Sequence, residues 1–132
     1  MSAFVDSNIL VRHLTGDPPD QGWHATAFLR SGQELVLVDL VVAEVVCVLE
    51  SVYEVEREGV AELLRAAIGF PAILVADEAL LLRALELYEH YRIHFAESYI
   101  AACAELSGIE TVVSFDRAID RVPTVRRIEP AE

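Results

Sequence analysis

The sequence predicts an α/β fold, a mostly parallel sheet with helices on both faces, from three observations. Short apolar runs alternate along the chain with longer stretches of helical periodicity, as strands separated by crossover helices do. Runs such as Leu35-Val36-Leu37-Val38 and Ala72-Ile73-Leu74-Val75 show no polar alternation, as expected of strands covered on both sides. Hydrophobic residues make up 54% of the chain, enough for a real core.

Ala3-Phe4-Val5 reads as a short strand ending at Asp6. Ser7 can cap a helix over 7–14, closed by Gly16 and Pro18-Pro19, and a second helix follows over 20–30. The run at 35–38 is a strand ending at Asp39, followed by an apolar helix over 40–55. Another helix spans 59–68 and stops at Pro71, before a third strand at 72–75. Asp77 caps a helix to Tyr91, in which Leu81, Leu82, Leu85 and Tyr88 recur at helical spacing. A helix over 96–106 closes at Gly108, a fourth strand covers 111–113, and 125–128 is a candidate fifth.

The length of 132 residues fits a single domain, 1–132. No apolar run reaches the roughly 20 residues a membrane helix needs, because Asp39 and Glu44 interrupt the longest one. Residues 1–6 lack the basic start of a signal peptide, so a cytoplasmic location is expected. Cys47 and Cys103 sit in apolar stretches and read as buried thiols in a reducing compartment. The net charge of −12 argues against nucleic-acid binding through a broad basic surface. It leaves room for a metal-dependent nuclease, whose centre needs acids. All of the 10 bases are arginines, and Arg117, Arg121, Arg126 and Arg127 offer a local basic rim near the C-terminus.

In parallel sheets the functional cleft lies at the carboxyl ends of the strands. Asp6 and Asp116 stand there, although a capping or turn aspartate would occupy the same places. Asp39 and Asp77 precede helical runs and read as caps. Glu44 lies within Leu40-Val41-Val42-Ala43-Glu44-Val45-Val46-Cys47, a segment expected to be buried all round. A carboxylate there needs a cation or hydrogen-bond donors, which a metal or a buried arginine would supply. Glu97 opens a helix, where the dipole alone favours an acid. Taken together, Asp6, Glu44, Glu97 and Asp116 are hard oxygen donors of the kind that suits Mg2+ or Mn2+. Crowded without a cation, they would repel one another.

These residues lie in segments that resemble the PIN-domain family, above all the VapC-type toxin ribonucleases of toxin–antitoxin systems. The segments are Phe4-Val5-Asp6-Ser7-Asn8-Ile9-Leu10, Val42-Ala43-Glu44-Val45-Val46, Phe95-Ala96-Glu97-Ser98-Tyr99 and Val112-Val113-Ser114-Phe115-Asp116-Arg117, in family order over almost the whole chain. The resemblance implies a three-layer α/β/α sandwich. It also implies a catalytic metal site of Asp6, Glu44, Glu97 and Asp116, with Asn8 and Ser114 as supporting or phosphate-contacting groups. The implied reaction is endonucleolytic hydrolysis of RNA by a metal-activated water. The implied partners are a second copy of the chain and a cognate VapB-type antitoxin that covers the acidic cleft. Arg12, Arg117 and Arg121 are candidate phosphate contacts, or else surface arginines paired with acids. Leu14, Trp23, Ala27 and Phe28 could supply an apolar dimer or antitoxin surface.

The chain departs from the family pattern twice. The third acid, more often aspartate, is Glu97, and His94 stands where many relatives carry another aspartate. These departures motivate a second reading, a catalytically silent PIN-like domain that binds proteins. Two other magnesium-dependent α/β classes fit worse. A receiver wants a lysine at a late strand end, and this chain has none. A phosphatase with an aspartyl nucleophile wants Asp-x-Asp after the first strand, and the second position here is Asn8.

Overall fold

A computed structural model describes residues 2–131, which divide after Ala76 into two compact units. The first unit runs β1 (Ser2–Phe4), α1 (Ser7–Thr15), α2 (Pro19–Leu29), β2 (Glu34–Val36), α3 (Asp39–Ser51), α4 (Arg57–Ile68) and β3 (Ile73–Leu74). Its strands form a parallel sheet in the order β1-β2-β3, with Ala3 opposite Leu35 and Leu35 opposite Ile73. The second unit runs α5 (Glu78–Tyr91), α6 (Phe95–Ser107), β4 (Thr111–Val113), a 3-10 turn at Arg117–Arg121 and β5 (Arg126–Ile128). Its two strands also pair in parallel, Val112 opposite Arg127. The α/β class with parallel pairing therefore holds.

The helices form where the periodicity places them. In the first unit Leu10, Leu29, Leu35, Leu37, Val45, Leu49 and Leu64 are buried, each contributing ~1.5–3 kcal/mol relative to exposure. In the second, Leu81, Leu85 and Tyr88 on α5 and Ala101 and Ala102 on α6 are buried where those two helices pack. Gly16 and Gly108 end α1 and α6 in the left-handed conformation that glycine adopts without steric cost.

Several expectations are corrected. Asp6, not Ser7, caps α1, and Ser7 becomes the first helical residue. Val38 holds the cap position of α3, leaving Asp39 as a first-turn acid, whereas Asp77 caps α5 by accepting from Leu80 N at 3.0 Å. The helix expected over 40–55 ends at Ser51, and Glu54 turns into the left-handed region at φ 52° although no glycine marks the place. β1 is exposed along its length, with Phe4 77% exposed. Cys47 is exposed and Cys103 half-buried, with no disulfide between them, so neither is the fully buried thiol expected. Trp23 is exposed on α2, in keeping with the apolar surface expected to include it. Among the described residues no helix is long and apolar enough to cross a membrane.

Candidate functional site

β1 ends at Phe4, and two residues later Asp6 takes an extended conformation that starts α1. Its Oδ1 accepts the backbone N–H of Ser7 at 2.7 Å. Ser7 is buried, and its hydroxyl donates to Glu44 Oε1 on α3, which packs against α1. One serine thus donates its N–H to one candidate acid and its O–H to the other, at the carboxyl end of the sheet. Sequence reasoning gave Ser7 only a capping role. The signal available was a hydroxyl adjacent to a strand-end aspartate.

Glu44 is exposed, against the expectation that its helix is apolar and therefore buried on every side. α3 buries Val42, Val45, Val46 and Leu49 and turns Leu40, Glu44, Cys47 and Ser51 outward. These four recur at helical spacing, so the helix is amphipathic in geometry though not in composition. Its carboxylate accepts from the Ser7 hydroxyl.

In the second unit, Glu97 lies in the first turn of α6. Its Oε2 is buried and has no hydrogen-bond partner. His94 is exposed in the N-cap position without a side-chain cap bond, and its carbonyl accepts from Ser98 N and Oγ. The short connection through Gly108 makes α6 run back along β4, so the start of α6 lies toward the end of β4. Asp116 follows there. Its N–H donates to Ser114 Oγ at 2.9 Å, and its Oδ1 accepts from Ala118 N at 2.9 Å, capping the 3-10 turn.

Two candidate phosphate contacts are already engaged, and a third makes no such bond among the described residues. Arg12 donates through Nε to Gln21 across α1 and α2, beside a shallow pocket of about 430 Å3 lined by Asn8, His24 and Phe28. Arg121 donates to the Arg92 carbonyl at 2.9 Å. Arg117 is exposed; the neighbouring Asp120 is held below the ordinary carboxylate pKa chiefly by its hydrogen bond from Arg127, and only least by the charge of Arg117. The basic rim shrinks by one member. The Arg127 side chain, 11% exposed, is saturated by Asp120, Glu129 and the Ser114 carbonyl.

A PIN-domain family model matches residues 3–125 and so spans both units. The chain belongs to the PIN-domain family. Also similar is a crystal structure of VapBC2 from Rickettsia felis bound to a DNA fragment from their promoter, at 16% identity, 98% coverage of each chain and a TM-score of 0.38. No curated protein matches the chain. PIN domains are generally nucleases and typically depend on a divalent metal.

The residues fit such an ion in donor chemistry. Carboxylate oxygens are the ligands that Mg2+ and Mn2+ prefer. A buried carboxylate oxygen without a donor, as at Glu97, is what a ligand leaves when its cation is absent. Among the described residues, neither unit by itself gathers three His, Cys, Asp or Glu side chains within reach of one ion. Each unit supplies two of the four candidate acids of this PIN domain.

Proposed function

We propose that this PIN domain, acting as one domain, is a Mg2+- or Mn2+-dependent endoribonuclease, the toxin of a VapBC-type pair. The observation that carries the reading is the buried, partnerless Oε2 of Glu97. The helix dipole accounts for an acid in this first turn, and a divalent ion of the kind this nuclease family uses would account for the oxygen left without a donor. The four motif segments, in order, support the VapC-type assignment, a cognate VapB-type antitoxin, a homodimer and a cytoplasmic setting.

In this reading Asp6, Glu44, Glu97 and Asp116 hold the ion. The bound ion would supply a water acidic enough to attack phosphorus and charge to stabilise the leaving oxygen. Ser7 orients Asp6 and Glu44, one through its N–H and the other through its hydroxyl. Ser114 fixes the backbone of Asp116. Asn8 and Arg117, on the exposed surface, are available to the phosphates that flank the scissile bond, and Arg12 would reach them through the guanidinium nitrogens that Gln21 does not occupy. The acids repel bare RNA, so productive binding depends on the ion and on these local cations.

The test is cleavage of a mixed-sequence RNA with Mn2+ by the wild type and by Asp6→Asn, Glu44→Gln, Glu97→Gln and Asp116→Asn. Each variant should lose at least about 100-fold in rate, the scale expected when a metal ligand or its support is removed. Chelation should abolish cleavage. Full activity in chelator, or in Asp6→Asn, overturns the reading. A wild type that binds no Mn2+ at all favours the silent, protein-binding alternative.

A further inference from the structure

The geometry points to Arg127 as a positioning residue for Asp116, an assignment that rests on the nuclease reading. Arg127 lies on β5, opposite Val112 of β4. Its guanidinium reaches the segment that carries Asp116 from both sides. Before Asp116, Nη1 donates to the Ser114 carbonyl at 2.9 Å. After it, Nε and Nη2 grip the two carboxylate oxygens of Asp120 at 3.0 and 3.2 Å. Glu129 closes the set at 3.1 Å from Nη1.

Asp116 lies between these anchors, and its own bonds depend on them. Its N–H is held by the side chain of Ser114, the residue whose carbonyl Arg127 binds. Its Oδ1 caps the turn that contains Asp120, which Arg127 also binds. A planar fork that satisfies two separated acceptors at fixed angles does what an ammonium cannot. The bidentate grip of Asp120 and the bond to Ser114 therefore fix the spacing across residues 114–120, and with it the direction in which Asp116 presents its remaining oxygen. Arg126, its neighbour in sequence, is exposed and makes no such bonds through its side chain among the described interactions. Strand alternation turns only one of the two arginines inward.

The experiment compares wild type, Arg127→Lys and Asp120→Asn by amide hydrogen exchange without metal and by Mn2+ titration. Arg83→Gln serves as the control, because it breaks the Arg83–Glu105 and Arg83–Glu86 pairs of the same unit, none of whose members is a candidate ligand. In Arg127→Lys, protection of the Asp116 and Ala118 amides should drop and the Mn2+ dissociation constant should rise about tenfold, the scale of an orienting partner lost. Asp120→Asn should move both in the same direction by less. Arg83→Gln should lower Tm and leave Mn2+ binding unchanged. Unchanged protection in Arg127→Lys overturns the assignment whatever the enzyme does. So does lost protection with unchanged Mn2+ affinity. A wild type that binds no Mn2+ overturns the nuclease reading itself, and the assignment with it.

Discussion

Ser7 donates its hydroxyl proton to Glu44 Oε1, tying the first residue of α1 to the second turn of α3 across 37 positions of sequence. The same residue donates its N–H to Asp6, so a buried serine sets two candidate ligands against each other. Ser7→Ala removes only the hydroxyl. It should cost ~0.5–1.5 kcal/mol of stability, the net worth of an ordinary hydrogen bond. RNA cleavage should fall about tenfold more steeply than in Ser7→Thr, which keeps a hydroxyl, because orienting groups govern ligand geometry. Equal cleavage by the Ala and Thr variants would show that the bond has no part in catalysis.

Glu97 supplies the second prediction. A buried carboxylate oxygen without a donor destabilises the metal-free protein by ~1–3 kcal/mol. Glu97→Gln removes the charge at nearly constant shape. In chelator the variant should melt no lower than the wild type, and higher by up to that amount. On adding Mn2+ the order should reverse, because a ligand that binds only the native state raises Tm and the variant binds it poorly. A Glu97→Gln protein that is less stable in chelator would mean that the carboxylate has a structural partner after all.

Much of this was legible from sequence. Asp6 and Asp116 stand out because a strand followed by a turn leaves a recognisable pattern, and Gly16, Pro71 and Gly108 mark ends that the chain obeys. What the pattern hides is relations between side chains. Leu40 and Cys47 look like core residues, so hydropathy cannot show that they share the outward stripe of α3 with Glu44. Arg126 and Arg127 are indistinguishable by type, and only the pairing of β5 with β4 decides which is saturated. The 3-10 turn after Asp116 has too short a period to read, since it is a single element of 5 residues.

A third prediction concerns pH. His13 joins α1 to α2 through Thr26 Oγ1 at 2.8 Å and meets Phe70 edge-on. Burial, and then the charge of Arg30, pulls its pKa below the ordinary value of 6.5. The unfolded chain therefore binds a proton more readily than the native one in this range, and stability must fall with pH. The loss begins as pH drops below about 6.5 and is complete below the native pKa. His13→Gln, which keeps a group able to bond Thr26, should flatten the Tm-against-pH curve between about pH 7 and 5. An unchanged slope would place the titrating group elsewhere.

The opposite sign holds at Glu105. Its carboxylate accepts from Arg83 Nε and Nη2 at 2.6 and 3.0 Å and from the Thr124 hydroxyl, joining α5, α6 and the approach to β5. The Arg83 hydrogen bond holds its pKa below the ordinary carboxylate value, against the opposing effect of burial. Its stabilisation is present above the unfolded pKa of about 4.3 and is lost as pH falls through the lower native value. Glu105→Gln should therefore melt lower near neutrality and show a shallower acid limb. Parallel curves for variant and wild type would remove the pair from the acid response.

Gly22 carries the last prediction. It lies inside α2, where glycine costs ~1 kcal/mol relative to alanine, so propensity alone favours Gly22→Ala. The structure opposes it. A Cβ at position 22 would lie 2.7 Å from Gly16 Cα and 2.8 Å from Gly16 C, inside any real carbon–carbon contact. Both partners are backbone, and Gly16 is itself held at φ 69° as the end of α1, so neither can swing aside. Relief requires α2 to move away from α1, opening the packing around Ala25 and Leu29 and parting Arg12 from Gln21. Overpacking of this kind costs ~1–3 kcal/mol, more than the propensity gain. Gly22→Ala should therefore lower Tm, and RNA cleavage should weaken with it if Arg12 serves the substrate. A rise in Tm would show that the helices separate without strain and that the close approach is incidental.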